Sequence, residues 1–282
     1  MNAVPSVRKL PAPGRTLVMG VVNVTPDSFS DGGEWFAPER AVAHGLELVA
    51  AGADLVDVGG ESTRPGAVRP TPEEELRRVL PVVERLTAAG AVVSVDTMRA
   101  QVAEAAVRAG ARLVNDVSGG QADPDMFATV GALGVPYVCM HWRGHGDEMQ
   151  SRAVYADVVA EVAEELTGQL EAAQAAGIAR EDLVVDPGFG FAKTGEHNWQ
   201  LLRRLDELDA LGLPLLVGVS RKTFLGNLLP GSDGQPRDPR GRDDATLALT
   251  TLLASRGTWA VRVHRVRPSR DAIAVVRRWH DT

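Results

Sequence analysis

The sequence of 282 residues predicts a (β/α)8 barrel of the TIM type, folded as a single domain over residues 17–282 behind a short tail at 1–16. Three observations predict it. About eight short apolar, β-branched runs recur along the chain, longer Ala-, Leu-, Glu- and Arg-rich stretches at helical spacing separate them, and the runs end in polar or glycine residues. Near-continuous apolar strands need a sheet covered on both faces, and strict alternation with helices implies parallel pairing. About eight such units in this length favour a closed barrel over an open doubly wound sheet.

In chain order the strands are read at 17–24, 54–60, 91–97, 112–119, 136–142, 183–188, 213–220 and 260–266. Helices are read at 38–51, 72–89, 99–109, 154–177 and 268–279, several opened by Pro or Thr-Pro as helix N-termini favour. Two long connections remain. Residues 25–37 are expected to be functional, and 227–245, rich in Gly, Pro and alternating charge, are expected to be disordered.

With 30 Lys+Arg against 37 Asp+Glu the net charge is −7, which argues against a phosphate-tracking nucleic-acid surface. No run approaches the roughly 18 apolar residues of a membrane span, and the N-terminus lacks the apolar stretch of a secretion signal. The lone Cys139 excludes an internal disulfide and a thiolate metal site, so a cytoplasmic protein is expected. Cys139 sits inside an apolar strand and reads as core, as do Trp142, Trp199 and Trp259. His44, His145, His197 and His280 receive no role. No zinc spacing, GxSxG elbow, dinucleotide fingerprint or P-loop lysine occurs, which disfavours hydride transfer and serine hydrolysis.

The strand ends carry Asn23, Gly59-Gly60-Glu61, Asp96, Asn115-Asp116, His141, Asp186, Ser220-Arg221-Lys222, Arg262 and His264. In a barrel these converge on the mouth at the C-terminal ends of the strands, where active sites lie. Arg262 and His264, two apart on one strand, share a face and suit a phosphate, although the pair equally fits a solvated basic patch. Lys222 follows an apolar run directly, where its ammonium is either simply exposed or close to a substrate. Asp96, Asn115 and Asp186 end separate strands. Buried there, they pair with internal cations or accept from a flat heterocycle with several N–H groups. The loops at 23–33 and 59–66 combine glycines and hydroxyls with Asp27, Asp31 and Arg64, a composition open to ordinary turns or to closing over a substrate.

Through seven ordered strings, NVTPDSFSDGG, DVGGESTRPG, SVDT, NDVSGG, DPGFGFAK, GVSRKTFLG and RVH, the sequence resembles the dihydropteroate synthases of bacterial folate biosynthesis from about residue 17 to residue 279, nearly the whole chain. The resemblance implies the same barrel and the condensation of 6-hydroxymethyl-7,8-dihydropterin pyrophosphate with p-aminobenzoate. It places the pterin on Asp96, Asn115, Asp186 and Lys222, and the pyrophosphate on Asn23, Thr63, Arg262 and His264, with Mg2+ held by Asn23 and phosphate oxygens. Phe29, Asp31, Arg64, Pro65 and Ser220 are implied to shape the p-aminobenzoate site and its closing loops, and Asp31 and Arg64 to pair across them. Catalysis is implied to fall to Lys222, Arg262, His264 and Asp96, mainly by stabilising the leaving group. A homodimer through the last helices is also implied, with no nucleic-acid or membrane partner.

One position departs from the family pattern. The family usually continues RVH with Asp, whereas here Arg265 follows, and its side chain is expected to point away from the Arg262 and His264 face. Two rivals differ in class: a corrinoid methyltransferase type of pterin barrel, which does not need the Ser-Arg-Lys segment or the Arg262/His264 pair, and a non-catalytic pterin-binding paralogue, expected to have lost one of Asn23, Arg64, Lys222 or His264. None is lost.

Overall fold

In the computed structural model, which describes residues 4–25, 38–62, 68–145 and 148–280, the chain alternates strand and helix as read. The order is β1 (Leu17–Asn23), α1 (Pro38–Ala50), β2 (Leu55–Gly59), α2 (Pro72–Ala88), β3 (Val93–Asp96), α3 (Ala100–Arg108), β4 (Leu113–Asp116) and α4 (Met126–Leu133). It continues with β5 (Tyr137–Met140), α5 (Val158–Ala175), β6 (Leu183–Asp186), α6 (Gly195–Arg203), α7 (Leu205–Asp209), β7 (Leu216–Val217), α8 (Thr223–Leu228), α9 (Asp243–Arg256), β8 (Ala260–Val263) and α10 (Val266–His280). All pairings are parallel, in the order β6-β5-β4-β3-β2-β1-β8-β7. The remaining seam is closed by a bridge between Val185 and Leu215, with the Val185 N–H donating to the Pro214 carbonyl at 2.9 Å.

Helix ends follow local chemistry. Thr71 caps α2 by accepting the Glu74 N–H at 3.2 Å, just ahead of Pro72, which needs no amide partner. Asp157 caps α5, and Thr194 with His197 forms a reciprocal box at α6, which gives His197 a structural task.

Period-two alternation divides the strand side chains between two cores. Outward residues such as Val18, Val56, Val114, Cys139 and Val185 meet the helices. Inward residues Leu17, Met19, Leu55, Leu113, Val138, Val184, Leu216 and Ala260 fill the barrel floor. The N-terminal segment belongs to that floor: Val7 and Leu10 pack under it with Trp259, and Arg8 is tied to Asp182. Cys139 is fully buried, as expected of a core residue.

The disorder expected at 227–245 is corrected. Within it Pro230 bridges Pro236, residues 240–242 form a 3-10 turn, and α9 already starts at Asp243. Tertiary anchors explain the order. Arg221 donates to both Asp243 oxygens at 2.7 and 3.0 Å, and Arg242 donates to the carbonyls of Arg237 and Arg221 at 2.6 and 2.8 Å. Charge and glycine content suggested a solvated linker, but these cations pair inward.

Candidate active site

Above the apolar floor the inward positions turn polar, one strand at a time. β2 supplies Asp57, β3 Ser94 and Asp96, β4 Asn115, the end of β6 Asp186, and β8 Arg262, with Lys222 just beyond β7. Asp57, Asn115 and Asp186 are buried. The strands therefore bring together Asp96, Asn115, Asp186, Lys222, Arg262 and His264, all named from the sequence, and Asn23 and Ser220 sit on the same rim.

Arg262 organises the pit. Its Nε donates to Asp57 Oδ2 and its Nη2 to Asp96 Oδ2, both at 2.7 Å, while the Asn115 amide donates to the same Asp57 oxygen at 3.0 Å. Burial pushes the guanidinium pKa down, but the two carboxylates more than reverse this, so it is raised. Burial lifts Asp96 to about 7 against the pull of Arg262, and it also raises Asp186, which holds the Gly188 N–H at 2.8 Å. Burial, aided by Arg262, lowers Lys222 to about 8. Its ammonium stands 4.1 Å above the Phe191 ring. Asp57 Oδ1 and Ser94 Oγ are buried without a partner. Acceptors thus outnumber donors at the bottom of the pit, a surplus suited to a ligand with several N–H groups.

The rim is built differently. Ser220 Oγ accepts the His264 backbone N–H at 3.3 Å and lies 2.9 Å from His264 Nδ1. With the hydroxyl accepting that N–H and donating its own proton to Nδ1, both contacts are met by the tautomer that carries Nε2–H as a donor. Burial and the neighbouring Arg221 and Arg262 cations hold the His264 pKa down at about 3, so the ring is neutral. Asn23 is half-buried at the end of β1, opposite Gly59. Arg265, between β8 and α10, is exposed, in line with a side chain turned away from this face.

Asp27, Phe29, Asp31, Thr63, Arg64 and Pro65 lie outside the described residues, and so does the Asp31–Arg64 pair. Among the described residues no group of three His, Cys, Asp or Glu is placed to hold a metal. A cavity of about 560 Å3 opens at the opposite end of the barrel, where Pro5, Arg180, Gly212 and Trp259 line it. None of the polar C-terminal strand ends lines it.

The pterin binding enzyme family model matches residues 19–264. A dihydropteroate synthase of Mycobacterium leprae is 56% identical over 263 residues, 93% of either chain. The chain belongs to the dihydropteroate synthase family of pterin-binding enzymes. A solved dihydropteroate synthase from Xanthomonas albilineans with 4-aminobenzoic acid is 47% identical with a TM-score of 0.87, covering 95% of this chain and 94% of that one. The same enzyme in complex with 7,8-dihydropteroate gives 45%, a TM-score of 0.84 and 95% of each chain.

In this dihydropteroate synthase fold, sequence reasoning missed two residues that the structure brings to or behind the mouth, and it placed a third, His141, among the strand ends without a role. Asp57 was legible: a carboxylate within an apolar strand, two before Gly59 and therefore inward-facing. Lys193, the one cation of DPGFGFAK, carried no comparable signal. Asp116 proves structural, since it accepts from the Ser118 N–H and hydroxyl, the Gly120 N–H and the Tyr137 hydroxyl.

Proposed function

We infer that the mouth condenses 6-hydroxymethyl-7,8-dihydropterin pyrophosphate with p-aminobenzoate, giving 7,8-dihydropteroate and pyrophosphate. The observation that carries this is a pit of partnerless acceptors beneath a rim of donors, in a chain that matches dihydropteroate synthases across nearly its whole length. The pterin edge donates N–H groups to Asp186, Asn115 and Asp96, and Lys222 donates to its carbonyl and ring nitrogen. Asp57, through Arg262 and Asn115, holds the floor of that site.

At the rim Arg262 retains an Nη1 for the pyrophosphate and neutral His264 offers its Nε2–H, with Asn23 and Thr63 beside them. The C–O bond to pyrophosphate breaks with both electrons leaving on oxygen. The carboxylates favour the cationic methylene that remains, the arylamine nitrogen forms the new C–N bond, and its proton departs to solvent. An arylamine is already nucleophilic, so no strong base is required. Phe29, Asp31, Arg64, Pro65 and Ser220 are proposed, on the resemblance, to shape the p-aminobenzoate side.

The donor set fits Mg2+, a hard cation that keeps waters and substrate phosphate oxygens and needs few protein ligands; Asn23 offers one amide oxygen at the rim. When bound, such an ion neutralises charge on the departing pyrophosphate. A homodimer through the last helices is supported by Leu252 on α9 and by Val275 and Trp279 on α10, all more than half exposed. A cytoplasmic location is consistent with the single cysteine, and no helix is long and apolar enough to cross a membrane among the described residues.

The test is pyrophosphate release from the dihydropterin pyrophosphate with Mg2+, with and without p-aminobenzoate. Release that depends on p-aminobenzoate and yields dihydropteroate is expected. Pterin binding without turnover would instead support the non-catalytic paralogue.

A further inference from the structure

The segment after β6, residues 187–192, carries Phe191 against Lys222 and supplies the Gly188 N–H that holds Asp186. Its backbone turns left-handed three times, at Gly188 and Gly190 (φ 71 and 76°), where glycine carries no steric penalty, and at Ala192 (φ 47°), where the side chain does. Beneath it lies Lys193, 3% exposed. Its ammonium meets three acceptors: the Gly188 carbonyl and the Phe191 carbonyl at 3.2 Å each, and His141 Nδ1 at 2.9 Å. Three N–H groups for three acceptors is the inventory of a charged lysine; the neutral amine has one too few.

The far side of His141 completes the arrangement. Its Nε2 lies 2.9 Å from Glu165 Oε2, so the Nε2–H goes to the carboxylate and Nδ1 stays an acceptor. Burial and the adjacent Lys193 keep His141 neutral, at about 4, while hydrogen bonds from His141 and Arg143 overcome burial and hold Glu165 down at about 2. Burial lowers Lys193 to about 7, opposed by Asp186. The charged and titratable groups facing Lys193 are His141 and Arg143 from the connection after β5, Glu165 from α5, Asp186 from β6, His197 from α6, and Lys222.

We propose that Lys193 is a positioning residue of the pterin site, its ammonium, oriented by His141 and Glu165, fixing the 187–192 segment so that Asp186 and Phe191 face the pterin. This rests on reading the mouth as a pterin site. Lys193 touches no reacting atom. It acts through the Gly188 and Phe191 carbonyls and through its charge behind Asp186. Loss of its proton removes one donor and that charge together, so pterin affinity falls as the pH rises through the Lys193 transition.

The test is fluorescence titration with 6-hydroxymethylpterin between about pH 5.5 and 9 for the wild type, Lys193→Met and Glu165→Gln. At about pH 6.5, Lys193→Met is expected to bind at least about tenfold more weakly, about 1.4 kcal/mol, and to lose one step of the wild-type pH profile. Asp96 and Lys222 are present in every variant, so the step that vanishes belongs to Lys193. Glu165→Gln keeps an acceptor for His141 but removes the charge, and is expected to move that step to lower pH. At saturating pterin substrate, KM for p-aminobenzoate should change less than about twofold in either variant.

Pterin affinity within about twofold of wild type in Lys193→Met overturns the proposal, as does weak binding with the full pH profile retained, which is the signature of a brace alone. Should Lys193→Met fail to fold, an unshifted step in Glu165→Gln overturns it. Wild-type protein that binds pterin but shows no p-aminobenzoate-dependent pyrophosphate release would sink the synthase reading and leave the Lys193 assignment in place.

Discussion

Arg262 on β8 donates from Nε to Asp57 Oδ2 on β2 at 2.7 Å across 205 residues of sequence, and this ion pair forms the floor of the polar pit. Its second carboxylate, Asp96, is also 2.7 Å away. Removing the cation leaves two buried carboxyls facing each other. Arg262→Met is therefore expected to destabilise the barrel by about 3–5 kcal/mol, and Asp57→Asn by less, because Arg262 keeps Asp96. Urea unfolding reads both. An Arg262→Met midpoint equal to wild type would mean that the pair does not hold the fold.

Ser220 sets the His264 tautomer through the 2.9 Å contact with Nδ1. Ser220→Ala should release that tautomer and lower kcat/KM for the pterin pyrophosphate by about tenfold, with stability little changed. Steady-state kinetics with each substrate varied in turn checks it. A loss confined to p-aminobenzoate KM would place Ser220 in the arylamine site instead.

His141 is fully buried and neutral, its pKa pulled from 6.5 to about 4, first by burial. A depressed folded pKa stabilises the native state above the unfolded value, and that stability is lost as pH falls from about 6.5 towards 4. The loss is on the order of 3 kcal/mol. His141→Gln should flatten the urea midpoint over that window relative to wild type. Parallel curves for the two proteins would show that His141 does not carry the acid sensitivity.

Gly190 and Gly234 both hold positive φ, at 76 and 75°, but a Cβ on Gly190 would come 2.9 Å from Lys222 Cδ, whereas Gly234 has nothing within 4 Å. Alanine at either position should cost about 1–2 kcal/mol from the backbone alone. Only Gly190→Ala should also weaken pterin binding, by displacing Lys222. Melting curves and pterin titrations on the two variants separate the effects, and equal pterin affinities would remove Gly190 from the site.

The alternation of strand and helix, the inward face of each strand and the polar strand ends were legible because they are local. Period-two and 3.6-residue patterns write burial directly into sequence, and every strand read from the chain is present, with β7 shortened to Leu216–Val217. Asp96, Asn115, Asp186, Lys222, Arg262 and His264 were found because each ends a strand or follows it closely. Asp57 and Lys193 were passed over, one inside an apolar run and the other past a strand in a glycine-rich segment.

By itself, then, the sequence determined the barrel, the mouth and the residue types gathered there. Only the tertiary structure decided which carboxylate grips Arg262, that His264 is neutral, that Lys193 reaches His141, and that Arg221 and Arg242 order the connection at 227–245. The physical reason is that periodicity encodes which face a side chain takes. Partner and protonation state depend instead on desolvation and on groups as far as 205 residues away, which only the closed barrel brings into contact.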